Sequence, residues 1–65
     1  MEYQHYKGGR YELICEAKLE SDPSVTMIIY RSLADGIIWA RPQDVFFETV
    51  PHAGQRVPRF APIAD

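Results

Sequence analysis

A two-residue alternation over residues 11–20 is the feature that most constrains the fold of this chain. Apolar side chains take the odd positions, and the residues concerned are Tyr11, Leu13, Cys15, Ala17 and Leu19. Successive side chains of a β-strand point to opposite faces, so this period of two predicts a strand with one buried face. In a helix, Glu12, Glu16 and Glu20 would instead form one stripe of repelling carboxylates.

The residues after this strand carry turn signals that alternate with short apolar stretches. Pro23 lies among small polar residues, which predicts a turn and an antiparallel hairpin to a second strand at residues 25–31. That stretch is rich in the β-branched and aromatic types that strands favour. The pair Asp35–Gly36 predicts another turn, and residues 37–41 predict a third strand.

Pro42 changes the pattern, because proline cannot donate to a sheet but suits the first position of a helix. We therefore expect one helical turn at residues 42–45 and a fourth strand at residues 48–50. Residues 55–63 contain two prolines between apolar residues and predict an extended segment along the body of the domain. Residues 4–9 predict an irregular loop.

Together these elements predict an all-β fold in one domain over residues 3–63. Closure reduces exposed strand edges in a small chain, so we expect an SH3-like barrel of four to five antiparallel strands with one short helical turn. The same patterns assign eight side chains to the core, namely Tyr11, Leu13, Cys15, Val25, Met27, Ile29, Trp39 and Phe46. Tyr30 follows Ile29 and should therefore point outward.

Charge and cysteine content narrow the classes of function. Seven basic and nine acidic residues give a net charge of −2, without the basic excess of a non-specific nucleic-acid binder. No apolar run is long enough for a membrane helix and no secretory signal is visible, so we expect no membrane association. Cys15 is the only cysteine and can form no internal disulfide, which favours a cytoplasmic location.

Side chains able to perform catalysis or to hold a metal are sparse. The serines lie in predicted turns, and His5 and His52 are far apart in sequence with no acid at motif spacing. One cysteine and two histidines are too few for a structural zinc site. Gly8–Gly9 is not followed by the lysine and hydroxyl residue of a phosphate loop. We therefore expect no enzyme activity, no catalytic residue, no metal ion and no cofactor.

Four groups of residues resemble one bacterial family. They are His5-Tyr6-Lys7-Gly8-Gly9 with Tyr11, Tyr30-Arg31 with Leu33, Trp39 and Arg41-Pro42 with Phe46-Phe47, and Arg56-Val57-Pro58-Arg59-Phe60. Their order resembles the short family known as domain of unknown function 1653, over almost the whole chain. The resemblance implies an SH3-type barrel in a stand-alone cytoplasmic protein, and it brings no catalytic residues with it.

One tryptophan, four tyrosines and three phenylalanines, with arginines beside them, indicate a binding surface. Such residues can line a groove for an extended peptide, or stack on bases while arginine contacts phosphate. We expect one partly exposed patch formed by Tyr6, Lys7, Tyr30, Arg31, Arg41 and Arg59. The leading hypothesis is a module that binds another protein or a peptide, as a monomer or weak homodimer. The alternatives are a module for RNA or single-stranded nucleic acid, and an accessory or structural protein without a ligand.

Overall fold

The computed structural model describes residues 1–64, which form seven short β-strands and one helical turn. The strands are β1 (Glu2–His5), β2 (Arg10–Leu19), β3 (Asp22–Ser32), β4 (Ile38–Pro42), β5 (Thr49–His52), β6 (Gln55–Pro58) and β7 (Phe60–Pro62). The helical turn α1 (Gln43–Phe46) lies between β4 and β5. The all-β prediction is confirmed: the main antiparallel sheet has five strands, within the expected four to five, and the β5–β6 hairpin adds two more.

Five of the strands form one antiparallel sheet in the order β4-β3-β2-β1-β7. Strands β5 and β6 pair only with each other, as a hairpin inserted between α1 and β7. The two edges of the large sheet approach through side chains, because the Arg41 guanidinium of β4 lies 5.6 Å from the Phe60 ring centre of β7. The sheet therefore curls into a small, partly open barrel.

Strand β1 is an interior strand of the sheet, whereas the sequence predicted no strand there and an irregular loop from residue 4 onward. Tyr3 pairs with Tyr11 of β2 on one side and with Pro62 of β7 on the other. Tyr3 is the one buried residue among the four of this strand. A strand this short shows no repeated alternation of apolar and polar residues, so the sequence gives no signal for it. Pairing on both sides stabilises a segment whose own sequence is ambiguous.

The turn predicted around Pro23 lies instead at Glu20–Ser21, and Pro23 belongs to β3. The remaining predicted elements are present with small shifts. The Asp35–Gly36 turn is present, and the Asp35 carboxylate accepts a hydrogen bond of 3.0 Å from the Ile37 backbone N–H. The helical turn begins one residue later than expected, because Pro42 is its N-cap residue rather than its first helical residue. The extended segment at residues 55–63 divides into β6 and β7.

The core is almost entirely aromatic. The rings of Phe46 and Phe60 stack in parallel with their centres 4.2 Å apart, and Tyr30 meets both edge-on at 5.2 and 5.4 Å. Tyr3 and Ile28 complete the buried cluster, with Tyr11 and Leu13 packed against it. Burial of Phe46 is confirmed. Aromatic rings bury about 150–250 Å² each, which is how so short a chain assembles a core.

The predicted inward face of the β2–β3 hairpin is wrong beyond Leu13. Leu13 pairs with Tyr30, but the next pair is Cys15 with Ile29, so Ile14 is an extra residue in β2. Such a bulge shifts the alternation by one position. Cys15 is therefore exposed rather than buried.

The same shift explains which side chains of β3 are buried. Ile28 and Tyr30 are the buried pair, and Ile29 and Met27, expected inside, are only half-buried on the other face. Val25 is half-buried as well. Residues 28 and 29 are both isoleucine, so their types do not show which of them is buried. The prediction therefore depended on the alternation in β2.

The end of the β2–β3 hairpin projects from the barrel. Every residue from Ile14 to Ser24 is exposed, and the molecule measures 37 × 25 × 20 Å. Its radius of gyration is 12.4 Å, compared with about 11 Å for a compact chain of this length. The projecting end therefore has no core of its own.

The turn between β5 and β6 contains an alanine in left-handed backbone geometry. Ala53 has φ of 53° and Gly54 has φ of 79°, as in a tight hairpin turn. Because a β-carbon is strained there, Ala53→Gly is expected to stabilise the protein by about 0.5–1 kcal/mol. Gly54→Ala is the matched control and should destabilise by about 1 kcal/mol, since a β-carbon meets no atom within 4 Å and only backbone strain is added. Urea unfolding measures both, and opposite signs of the two effects are the required result.

Candidate functional site

Two cavities adjoin at His5 and together form the surface we name the groove. The apolar cavity has a volume of about 380 Å³, and its lining residues are Gln4, His5, Tyr6, Gly8, His52, Val57, Pro58 and Ala61. The arginine cavity has a volume of about 230 Å³, and its lining residues are His5, Tyr11, Tyr30, Ser32, Asp35, Trp39, Arg41 and Phe60. The groove is therefore built from the β1–β2 turn, the β5–β6 hairpin and the β3–β4 part of the sheet.

The apolar cavity owes its shape to the turn after β1. The His5 backbone N–H donates to the Gly9 carbonyl at 2.7 Å, and Gly8 takes φ of 111°, which closes the turn. This brings the Tyr6 ring to 4.6 Å from His5 and, edge-on, to 5.4 Å from His52 of the β5–β6 hairpin. Two elements far apart in sequence thereby share one aromatic wall.

Trp39 stands at the mouth of the arginine cavity. It pairs with Tyr30 across the sheet, so both side chains lie on the interior face. Tyr30 is 5% exposed and forms the floor, whereas Trp39 is 49% exposed because β4 is a sheet edge that no other strand covers. The expectation that Trp39 belongs to the core is wrong.

Arg41 supplies the cation of this cavity. Its guanidinium lies over the Phe60 ring, and the residue is half-buried. Two ion pairs occur among residues 1–64, Arg31 with Glu12 and Arg59 with Glu48, and neither includes Arg41. No side-chain hydrogen bond of Arg41 is present in the described chain either, so this cavity-lining residue has no protein acceptor there.

His5 is held as a neutral ring between the two cavities. The Lys7 backbone N–H donates to His5 Nδ1 at 3.1 Å, which places the ring proton on Nε2. The pKa of His5 is lowered from its ordinary value of 6.5, first by burial and then by the positive charges of Arg41, Arg59 and Lys7. Three cations thus lie near the ring in the middle of the groove.

The lowered pKa of His5 predicts a loss of stability in mild acid. Above pH 6.5 the ring is neutral in the folded and the unfolded chain, so its contribution is fully present. As the pH falls below 6.5 the unfolded chain binds the proton first, and the free energy of unfolding decreases until the lowered folded-state pKa is reached. An NMR titration of the His5 ring should give a midpoint below 6.5. A midpoint at or above 6.5 would contradict the proposed surroundings of the ring.

The residues predicted as one patch do not all come together. Tyr6 and Arg41 line the groove, and Lys7 lies beside it with its ammonium 5.7 Å from the Tyr6 ring centre. Arg59 is half-buried outside the lining, where it donates to the Val45 carbonyl at 3.2 Å and pairs with Glu48. These four residues are at least partly exposed, as expected.

Arg31 and Tyr30 depart from the predicted patch. Arg31 is exposed, but it pairs with Glu12 on the opposite face of the sheet from Tyr30. Tyr30 was expected to be partly exposed and is buried. The prediction placed Ile29 on the inner face, but the bulge at Ile14 puts Ile29 outside and Tyr30, which pairs with Leu13, inside. It contributes to the floor of the groove rather than to its surface.

Comparison with known proteins places the chain in a family. The family described as "Protein of unknown function (DUF1653)" matches residues 1–62. The chain belongs to this family. No curated protein and no solved structure gives a significant match. The DUF1653 resemblance carried by the aromatic and arginine motifs is thereby confirmed.

Most residues that line the groove of this DUF1653 protein were not in the predicted patch, and four of them carry an imidazole, a carboxylate or the exposed indole. They are His5, Asp35, Trp39 and His52. Three of them belong to motifs or turn pairs that the sequence displays, but nothing in the sequence indicates that the β5–β6 hairpin approaches the β1–β2 turn.

Within residues 1–64, no cluster of three or more His, Cys, Asp or Glu side chains suits a metal ion. The described part of the chain also has no helix of the length and apolarity needed to cross a membrane.

Proposed function

We propose that this protein is a non-enzymatic module that binds an extended segment of another protein in the groove. The observation that carries the proposal is the exposed ring of Trp39 next to the unpaired guanidinium of Arg41. Tryptophan and arginine are the residue types that contribute most binding energy in protein interfaces. A half-exposed tryptophan is a costly surface residue for a small domain, and a partner that covers it removes that cost.

The shape of the groove suits a peptide better than a single compact ligand. Its two cavities adjoin at His5 and differ in character, one mostly apolar and one containing Arg41 and Asp35. Alternate side chains of an extended peptide point the same way, so neighbouring pockets of unlike chemistry accept alternate residues of one segment. This arrangement supports recognition of a short sequence rather than of one side chain.

Nucleic acid is the second candidate, since tyrosine, tryptophan and arginine also bind unpaired bases and phosphates. The charges favour it less. Arg31 and Arg59 are neutralised by glutamates, and the net charge of the chain is −2. A strand of phosphates would meet Arg41 and Lys7 as its nearby cations, which is few for a binder that depends on phosphate contacts.

The proposal is tested by mapping NMR shifts with peptide and oligonucleotide libraries at low and high salt. Peptides are expected to shift the Trp39 indole N–H and the amides of the β1–β2 turn at both salt concentrations. Trp39→Ala should weaken peptide binding about tenfold or more, as expected for a central aromatic anchor. Ile38→Ala is the matched control, because Ile38 is equally exposed but lies on the other face of β4, and it should leave affinity unchanged.

Three outcomes decide between the candidates. Binding of peptides that Trp39→Ala weakens and Ile38→Ala does not supports the proposed function. Shifts with oligonucleotides alone, lost steeply as salt rises, would replace it with the nucleic-acid alternative. The absence of any groove shift with either library would favour the accessory or structural role without a ligand.

A further inference from the structure

The arginines of this chain differ in whether an acceptor satisfies them. Arg31 pairs with Glu12, and Arg59 pairs with Glu48 and also bonds the Val45 carbonyl. Arg56 donates to the Thr49 hydroxyl and to its carbonyl. Arg41 is half-buried like Arg59, yet no acceptor within residues 1–64 reaches it. The donors of Arg41 are therefore open to an acceptor that a partner supplies, whereas those of Arg31, Arg56 and Arg59 already have acceptors within the chain.

The Arg41 guanidinium is already positioned for a partner. It lies over the Phe60 ring at 5.6 Å, a cation–π contact that favours this position, and the residue lines the arginine cavity. Arginine presents a planar fork of N–H groups that matches the two oxygens of a carboxylate. The Ser32 and Tyr11 side chains line the same cavity and provide further hydroxyl groups.

Asp35 is the acidic group of this cavity, and it forms no ion pair with Arg41. Its carboxylate accepts a hydrogen bond from the Ile37 N–H within its own turn and makes no ion pair within residues 1–64. At His5, which borders the cavity, the charges that shift the pKa are Arg41, Arg59 and Lys7, and no carboxylate is among them. Three cations therefore lie near His5 at this border of the cavity, although the net charge of the chain is −2.

We infer that the peptide segment recognised by the groove carries an aspartate or glutamate whose carboxylate pairs with Arg41 in the arginine cavity. This inference rests on the proposed peptide-binding function and assigns the chemistry of its ligand. The volume of about 230 Å³ suits one acidic side chain, while the neighbouring apolar cavity accepts an aliphatic side chain two residues away.

Two matched peptides test the inference. The probes are the acetylated and amidated peptides Leu-Ser-Glu-Ser-Leu and Leu-Ser-Gln-Ser-Leu, which differ only in the charge of the central side chain. Their affinities are measured from the shifts of the Trp39 indole N–H and the Arg41 Nε–H. The Glu peptide should bind about tenfold more tightly than the Gln peptide, because a carboxylate forms a stronger hydrogen-bonded pair with a guanidinium than a neutral amide does.

Variants of the protein assign the charge preference to one side chain. Arg41→Gln should remove the difference between the two peptides, and Arg41→Lys should retain part of it as a point charge without the fork. Asp35→Asn should strengthen binding of the Glu peptide, since it removes a repulsive charge and keeps the acceptor for the Ile37 N–H. Arg31→Gln, on the opposite face, is the control and should change nothing. Thermal unfolding confirms that each variant is folded.

The failure of the inference is distinguishable from the failure of the proposed function. If both peptides shift Trp39 with equal affinity, the groove binds peptides and the carboxylate assignment is wrong. If neither peptide shifts Trp39 in the folded wild-type protein, both the inference and the proposed function are overturned. A preference for Glu that survives Arg41→Gln would assign the carboxylate to another cation, with Lys7 the next to test.

Discussion

Phe46→Ala is expected to leave most of the chain unfolded under native conditions. The ring is fully buried, stacks on Phe60 at 4.2 Å and contacts Tyr3 and Tyr30 edge-on. Replacing a buried phenylalanine by alanine costs about 3–5 kcal/mol, because both apolar burial and close contacts are lost. A domain of 65 residues has a total stability of about 3–10 kcal/mol, so this loss is comparable to the whole.

The adjacent residue provides the control for this prediction. Phe47 is 46% exposed, and Phe47→Ala is expected to cost about 1 kcal/mol or less. Far-UV circular dichroism with urea titration measures both variants against the wild-type protein. Equal losses at the two positions would show that Phe46 is not the centre of the core.

Ile28→Ala is expected to produce the second largest loss, of about 2–5 kcal/mol. Ile28 is 1% exposed and belongs to the buried aromatic cluster. The opposite face of β3 presents Ile29, which is chemically identical and only half-buried. Ile29→Ala should therefore cost clearly less than Ile28→Ala in the same urea titration. The reverse order would show that the alternation of β2 continues through Ile14 without a bulge.

The sequence was sufficient for the fold class because its local signals agree. The alternation in β2, the β-branched residues of β3 and the Asp35–Gly36 turn pair each act over a few neighbouring residues, and the strand or turn that each predicts is present in the structure. The helical turn at Gln43–Phe46 follows from the properties of proline. Signals of this kind do not depend on the rest of the chain.

The side-chain assignment failed where it depended on an extra residue. A single bulge at Ile14 moved Cys15 to the surface and brought Tyr30 into the core. Isoleucine carries no turn or glycine signal that marks a bulge, so an alternation count passes through it unchanged. The physical cause is tertiary, since the register of β2 is set by the packing of Leu13 and Tyr30 against the core.

The candidate site was predictable in its residue types more than in its geometry. Arg41 and Tyr6 were identified because arginine and tyrosine near strand ends are frequent in binding surfaces. Trp39 was assigned to the core because a large apolar ring is usually buried, and its exposure follows only from the edge position of β4. The contact between Tyr6 and His52 joins residues far apart in sequence, which no local pattern reveals.

The projecting end of the β2–β3 hairpin makes the tip at Glu20–Ser21 a natural place to lengthen the chain. The residues around it are exposed and contribute nothing to the groove. Each doubling of a flexible loop costs only about 0.6 kcal/mol in closure entropy, so an inserted tag or small domain should be accommodated there without disturbing the barrel. Variation in length among related chains is therefore expected to concentrate at this tip, because an insertion there costs the folded protein little stability.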